Sequence, residues 1–220
     1  MPGAISIGAK DMGQLKIESI EKLKKKDYKL IMDDESELVI HEDQLVKYQL
    51  YKGKGLSTVE FQELKRDAEK QGLMQAAFRL IQFRSRTAKE LRTKLIEKGF
   101  SEDAISELIV KLTSDGYVNH KEYAEQFVHD AIHLKKKGLK WARYELQQRG
   151  IESEWVEEAI ASIDGETEVA QLFAVAERKW DNYVRKYGDT YETKLRMRHF
   201  LEQKGCSRAA IQSIMHRLEC

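Results

Sequence analysis

Residues 84–100 read RSRTAKELRTKLIEKGF, and the fold turns on whether this run stands alone in the chain. Arg84, Arg86, Lys89, Arg92, Lys94 and Lys98 face only Glu90 and Glu97, a local balance of +4. One such run reads as a solvated helix face. Its end, however, is a fixed arrangement of Leu95, Lys98 and Gly99, and this returns as Leu146, Arg149, Gly150 and as Leu201, Lys204, Gly205. The glycines are 51 and 55 residues apart, and seven positions before each lies an arginine: Arg92, Arg143 and Arg198. A cation followed by glycine suits a helix C-terminus, where the charge opposes the dipole and glycine takes the left-handed cap.

Six, ten and thirteen positions after the glycines come Ile105, Ile109 and Leu112, then Val156, Ile160 and Ile163, then Ile211, Met215 and Leu218. Spacings of three and four place each set on one helix face. Gly72, Thr87, Ser101, Asn119, Gly138, Ser153, Asp164, Thr190 and Ser207 fall where caps or breaks are wanted. Together these define a three-helix unit repeated at 72–115, 119–164 and 165–219. One unit cannot bury its apolar face alone, so the expected fold is mainly α, with tandem three-helix repeats forming an elongated curved array.

Upstream the pattern differs. LKIESIEKL, YKLIM and ELVIH are rich in β-formers, and DDES between the last two supplies turn chemistry, which predicts a small β-hairpin or three-stranded piece. EDQLVKYQL reads as a short helix and YKGKG as a flexible joint. At Ser57 the sequence STVE predicts a capping box with Glu60. Residues 15–71 are therefore an N-terminal β-hairpin region plus helices, while 1–14 read as disordered or partly vector-derived.

Composition narrows the function. The chain has 220 residues, of which 41% are hydrophobic and 34% charged, with a net charge of +1, so affinity for phosphate must come from local separation of charge. Two cysteines and no CxxC argue against a disulfide framework or zinc site. No apolar run approaches the ~18 residues of a membrane span, and the start lacks signal-peptide character. A cytoplasmic monomer without cofactor or metal is expected.

The charge itself repeats. KKKGLKWARYELQQR sums to +5, through Lys135, Lys136, Lys137, Lys140, Arg143 and Arg149 against Glu145. In the third unit Lys194, Arg196, Arg198 and Lys204 belong to a stretch of +4, whereas SEDAISELIVKLTS and ESEWVEEAIASIDG sum to −2 and −5. Sign thus alternates with helix position, predicting a basic strip and an acidic strip that steer partners of opposite charge. Arg84, Arg86, Arg92, Lys94, Lys98, Lys136, Lys137, Lys140, Arg143, Arg149, Lys194, Arg196, Arg198 and Lys204 are the contact candidates. The bland alternative is solvated helix cations and dipole partners.

FRSRTAKELRTKLIEKGF, LTSDGYVNHKEYAEQFV and KKKGLKWARYELQQRGI together resemble the RecX family, bacterial regulators of the RecA recombinase, over about residue 15 to the end. The N-terminal region resembles the extension of Gram-positive members. The chain departs from that pattern at Ser85, where the family usually has proline, and at Glu122, where arginine is common before the aromatic-Ala pair Tyr123 and Ala124. The resemblance implies a non-enzymatic protein of tandem three-helix repeats lying in the groove of the RecA filament on single-stranded DNA. There it would reduce ATP hydrolysis, strand exchange and coprotease function in the SOS response.

Other readings carry less. His129 and His133 are one helical turn apart but lack a third ligand at a motif spacing. Tyr117, Tyr123, Phe127, Trp141, Trp155, Trp180 and Tyr183 sit mostly at core spacings, with Trp141 and Tyr183 best placed for stacking on bases. No carboxylate constellation or nucleophile elbow suggests an enzyme. A DNA-binding protein acting through its basic middle helices remains the alternative, and an adaptor for some other acidic protein is a third.

Overall fold

The computed structural model describes residues 14–219, so the expectation for the first residues lies outside the described part. Strands β1 (Gln14–Lys22), β2 (Asp27–Met32) and β3 (Glu37–His41) pair antiparallel in chain order. The DDES turn closes as expected: the Ser36 amide donates to Asp34 Oδ1 at 3.0 Å and the Met32 amide to the Ser36 carbonyl at 2.9 Å. Ile17, Leu30, Met32 and Ile40 are buried on one face of the sheet. Helix α1 (Glu42–Lys47) follows, its start closed by a reciprocal cap between His41 and Gln44.

The stretch read as a flexible joint instead leads into a fourth strand, β4 (Gly55–Ser57), and the sheet order is β3-β2-β1-β4. Three residues are too few to show an alternating pattern. Leu56, paired with Leu15 and fully buried, nevertheless anchors the strand on the core.

Helix α2 (Thr58–Phe83) starts at the expected box: the Glu60 amide donates to Ser57 Oγ at 3.2 Å and the Ser57 amide to Glu60 Oε2 at 2.8 Å. It then continues for 26 residues through Gly72, where a break was expected. A single mid-helix glycine costs about 1 kcal/mol. Burying Leu64 and Leu73, which flank it, contributes roughly 2 kcal/mol each and outweighs that cost.

Eight further helices complete the chain: α3 (Ala88–Ile96), α4 (Glu102–Ser114), α5 (His120–His133), α6 (Leu139–Gln148), α7 (Ser153–Ala161), α8 (Gly165–Tyr187), α9 (Tyr191–Lys204) and α10 (Arg208–Leu218). Side chains of Asn119, Asp164, Thr190 and Ser207 cap α5, α8, α9 and α10. Glu152, one residue before the predicted Ser153, is the N-cap position of α7. Gly99, Gly150 and Gly205 all have positive φ, and Leu95, Leu146 and Leu201 are all buried, so the repeat signature marks equivalent places.

The described residues divide into two compact units, one holding 14–80 with 95–108, the other 81–94 with 109–219. The first is organised around the sheet, with Leu64 and Ala68 of α2 against Ile17, Leu30, Met32 and Leu56. The second contains two adjoining cores, one shared by α5, α6 and α7 and one by α8, α9 and α10.

Candidate functional site

In the second unit the backbone before α6 meets the backbone after α9. The Gly138 amide donates to the Lys204 carbonyl at 2.9 Å, and the Gly205 carbonyl accepts from the amides of Lys140 and Trp141 at 2.9 and 3.2 Å. Neither position has room for a side chain. A Cβ on Gly138 would lie 2.2 Å from the Gly205 carbonyl oxygen, and one on Gly205 would lie 2.3 Å from Trp141 Cβ.

Gly138 has no side chain with which to cap α6, and a buried acid from α8 does so instead. Glu168, with no solvent exposure, accepts at Oε1 from the amides of Leu139 and Ser207 (2.9 and 3.0 Å) and at Oε2 from Ser207 Oγ (2.6 Å). One carboxylate thus satisfies orphan amides at the starts of α6 and α10, where both helix dipoles favour negative charge. Beside it Cys206 is buried. Loss of solvent, and then the Glu168 charge, push its thiol pKa up to about 12, so it is no nucleophile.

Cys206 of this joint lines an open cleft together with Lys140 of α6, Arg198 and Glu202 of α9, and Arg208 of α10. Arg198 also lines an adjoining hollow with Gln212 and His216. Three cations from three helices and two successive repeats therefore face one acid. Among the described residues none of the three cations is held in an ion pair, so their charge is available to an external anion.

Most of the other predicted contact residues are engaged within the protein. Arg143 makes a two-pronged bond with Glu157 of α7, at 2.7 and 2.8 Å. Its pairing holds the Glu157 carboxyl below the usual range, through the hydrogen bond first and the opposite charge as well. Arg149 bonds Glu90 at 3.0 Å, Tyr123 Oη at 3.2 Å and Glu145 at 3.4 Å, and Arg84 shares Glu90 at 3.3 Å. Lys194 pairs with Glu219 and Arg196 with Glu192. Lys136 donates to Gln171 at 2.7 Å, while Lys137 and Lys204 lie over the rings of Trp141 and Phe200. Arg86, Arg92 and Lys94 also interact within the protein. Lys98 lines a different groove, in the first unit.

A second cationic surface of the same unit has aromatic content. Tyr123, Phe127 and Trp141 stack in succession with centroids 6.2 and 5.7 Å apart. Arg149 and Lys135 lie 5.0 and 4.8 Å from the Phe127 centroid, in a shallow cleft that Arg84 also lines. Phe127 is almost fully buried, and the ring faces already meet cations. Tyr183, the other expected stacking residue, packs against the core of α8, α9 and α10 with Lys179 over its ring at 4.8 Å.

Arg208 and Glu168 escaped the sequence reading. For Arg208 the signal was present: Arg208–Leu218 carries Arg208 and Arg217 with no acid, which breaks the alternation of basic middle and acidic third helices in the last repeat. Glu168 had no comparable signal, because its partners come from two distant helix starts.

Comparison with known proteins gives this arrangement a family. Residues 74–112 match the model of the RecX first three-helix domain, and 119–160 that of the second. A regulatory protein RecX of Clostridium botulinum (strain Alaska E43 / Type E3) is 32% identical over 161 residues, covering 72% of this chain and 75% of that protein. The chain belongs to the RecX family. A second regulatory protein RecX, from Clostridium perfringens (strain SM101 / Type A), is 27% identical over 94% of this chain and 97% of its own length. The crystal structure of RecX from Lactobacillus salivarius superposes with a TM-score of 0.62 at 28% identity, covering 69% of this chain and 97% of that one. Another RecX crystal structure shares the fold at a TM-score of 0.67 and 21% identity, over 91% of this chain and 98% of its own. RecX proteins are regulators, and among the described residues of this chain no helix is long and apolar enough to cross a membrane.

Proposed function

We propose that this chain regulates RecA by lying in the groove of the RecA filament on single-stranded DNA, lowering its ATP hydrolysis, strand exchange and coprotease activity. Membership of the RecX family supports the partner. The observation that carries the contact mode is the convergence of Lys140, Arg198 and Arg208 from two successive repeats on one cleft. A surface built from neighbouring repeats suits a repeating filament, because linked contacts raise one another's effective concentration.

The test is RecA-dependent ATP hydrolysis on single-stranded DNA, measured as the protein is titrated in. Inhibition well below one molecule per RecA protomer is expected, and Lys140→Glu with Arg198→Glu raises the half-inhibiting concentration at least tenfold. No change in hydrolysis at any ratio overturns the proposal. The second reading, direct DNA binding, draws on the aromatic strip flanked by Lys135, Lys137 and Arg149. It requires binding without RecA, and three phosphate contacts on a single strand would weaken about 20-fold between 50 and 200 mM salt.

A further inference from the structure

In the first unit β3 ends the sheet, and among the described residues no strand covers its outer edge. The Met32 amide donates to the Ser36 carbonyl at 2.9 Å and the Glu42 amide to the Lys26 carbonyl at 2.8 Å, which fixes the phase of the ladder with β2. Alternation then turns the backbone groups of Glu37, Val39 and His41 outward. The His41 amide is taken by Gln44 Oε1 at 3.0 Å, leaving the N–H and C=O of Val39 at the centre of the edge.

A groove runs beside this edge. Val39 and His41 line it on the strand side, Gly72, Ala76 and Arg79 on the α2 side, with Lys98 and Phe100 completing it. The α2 wall from Ala68 to Arg79 rises ~16 Å, about the span of five extended residues. Val39 is 53% exposed, an apolar contact without cover. Among the described residues Arg79 donates only to Gln75 Oε1, at 3.1 Å. Among the described residues neither Arg79 nor Lys98 has a carboxylate partner, and the groove's single acid is Asp27.

We propose that this groove takes an extended acidic peptide of a partner protein as an added strand on β3. The peptide's backbone bonds Val39, an aliphatic side chain covers the exposed Val39, and a carboxylate pairs with Arg79 and Lys98. Main-chain bonds supply affinity in this mode, and flanking pockets supply specificity. A second copy of the chain is a poorer occupant, since it would bring its own cations toward the same positions. This site is independent of the RecA reading above, in residues and in ligand.

Fluorescence anisotropy tests it on the full chain, with a labelled peptide Thr-Val-Thr-Val-Thr-Glu-Asp-Glu and a counterpart carrying lysine at its three acidic positions. Saturable binding of the acidic peptide is expected, at least tenfold tighter than the lysine peptide, with slowed hydrogen exchange at the Val39 amide. Arg79→Glu weakens it at least tenfold, and Gly72→Met, which fills the groove with a good helix former, abolishes it, with circular dichroism melts reporting that each variant is folded. If Gly72→Met fails that control, Arg79→Glu decides. Equal binding of both peptides, no binding at millimolar peptide, or binding undiminished in the folded variants overturns the proposal. So does dimerisation that Gly72→Met removes, which assigns the edge to a second copy.

Discussion

Arg143 and Arg198 hold the same place in successive repeats, yet their surroundings divide them. Glu157 holds the first through both carboxylate oxygens, while the second opens on the cleft with Lys140 and Arg208. Arg143→Ala therefore affects folding more than regulation. Glu157 has a lowered folded pKa, so its pairing stabilises above the ordinary carboxylate value of 4.5 and is lost as pH falls through the folded value. Acid unfolding followed by circular dichroism should show a shallower loss of stability in Arg143→Ala as pH falls below the ordinary carboxylate value of 4.5. At Cys206 burial decides reactivity. Native protein at pH 8 should leave its thiol unalkylated by iodoacetamide, as mapped by peptide mass spectrometry, and unfolding should release it.

Among elements, the glycine-ended helices show how much can be read from one residue type. Gly99 and Gly205 share a positive φ, but a Cβ meets nothing within 4 Å at Gly99 and Trp141 at Gly205. Gly99→Ala should cost about 1 kcal/mol, the left-handed penalty alone, and Gly205→Ala about 3 kcal/mol or more once overlap is added, both measurable by urea unfolding. Glu168→Ala strips three donors of a buried charged acceptor and should cost about 3 kcal/mol or more, lowering Tm by about 10 °C. The helix succession was legible because caps and apolar spacings are local: Thr87, Asn119, Asp164, Thr190 and Ser207 announce starts wherever they occur. β4 was illegible because only pairing defines three residues as a strand, and α2 was misread because tertiary burial overrides the weak preference of Gly72. The cleft was half legible. Lys140 and Arg198 follow from the repeat, but charge counts alone do not tell them from Arg143, whose partner lies fourteen positions away in the next helix.

At the scale of the molecule, near-neutral total charge conceals an uneven distribution, since most of the predicted contact cations are engaged internally while Lys140, Arg198 and Arg208 open together on one cleft. Regulation through the cleft predicts a selective effect. Charge reversal at Lys140 and Arg198 should impair RecA inhibition while leaving the melting profile within about 2 °C, because surface substitutions usually shift stability by under 0.5 kcal/mol. Reversal at Arg143 should do the opposite, and parallel ATPase and melting measurements distinguish the two.

Glu168 has one more consequence, for anyone cutting the gene. A fragment ending after α7 keeps the whole segment matched by the second domain model yet removes the acid that closes the start of α6. Such a fragment should fray from Leu139 onward and expose Trp141, so a minimal soluble version of the middle repeat must extend through α10 or supply its own cap at position 138.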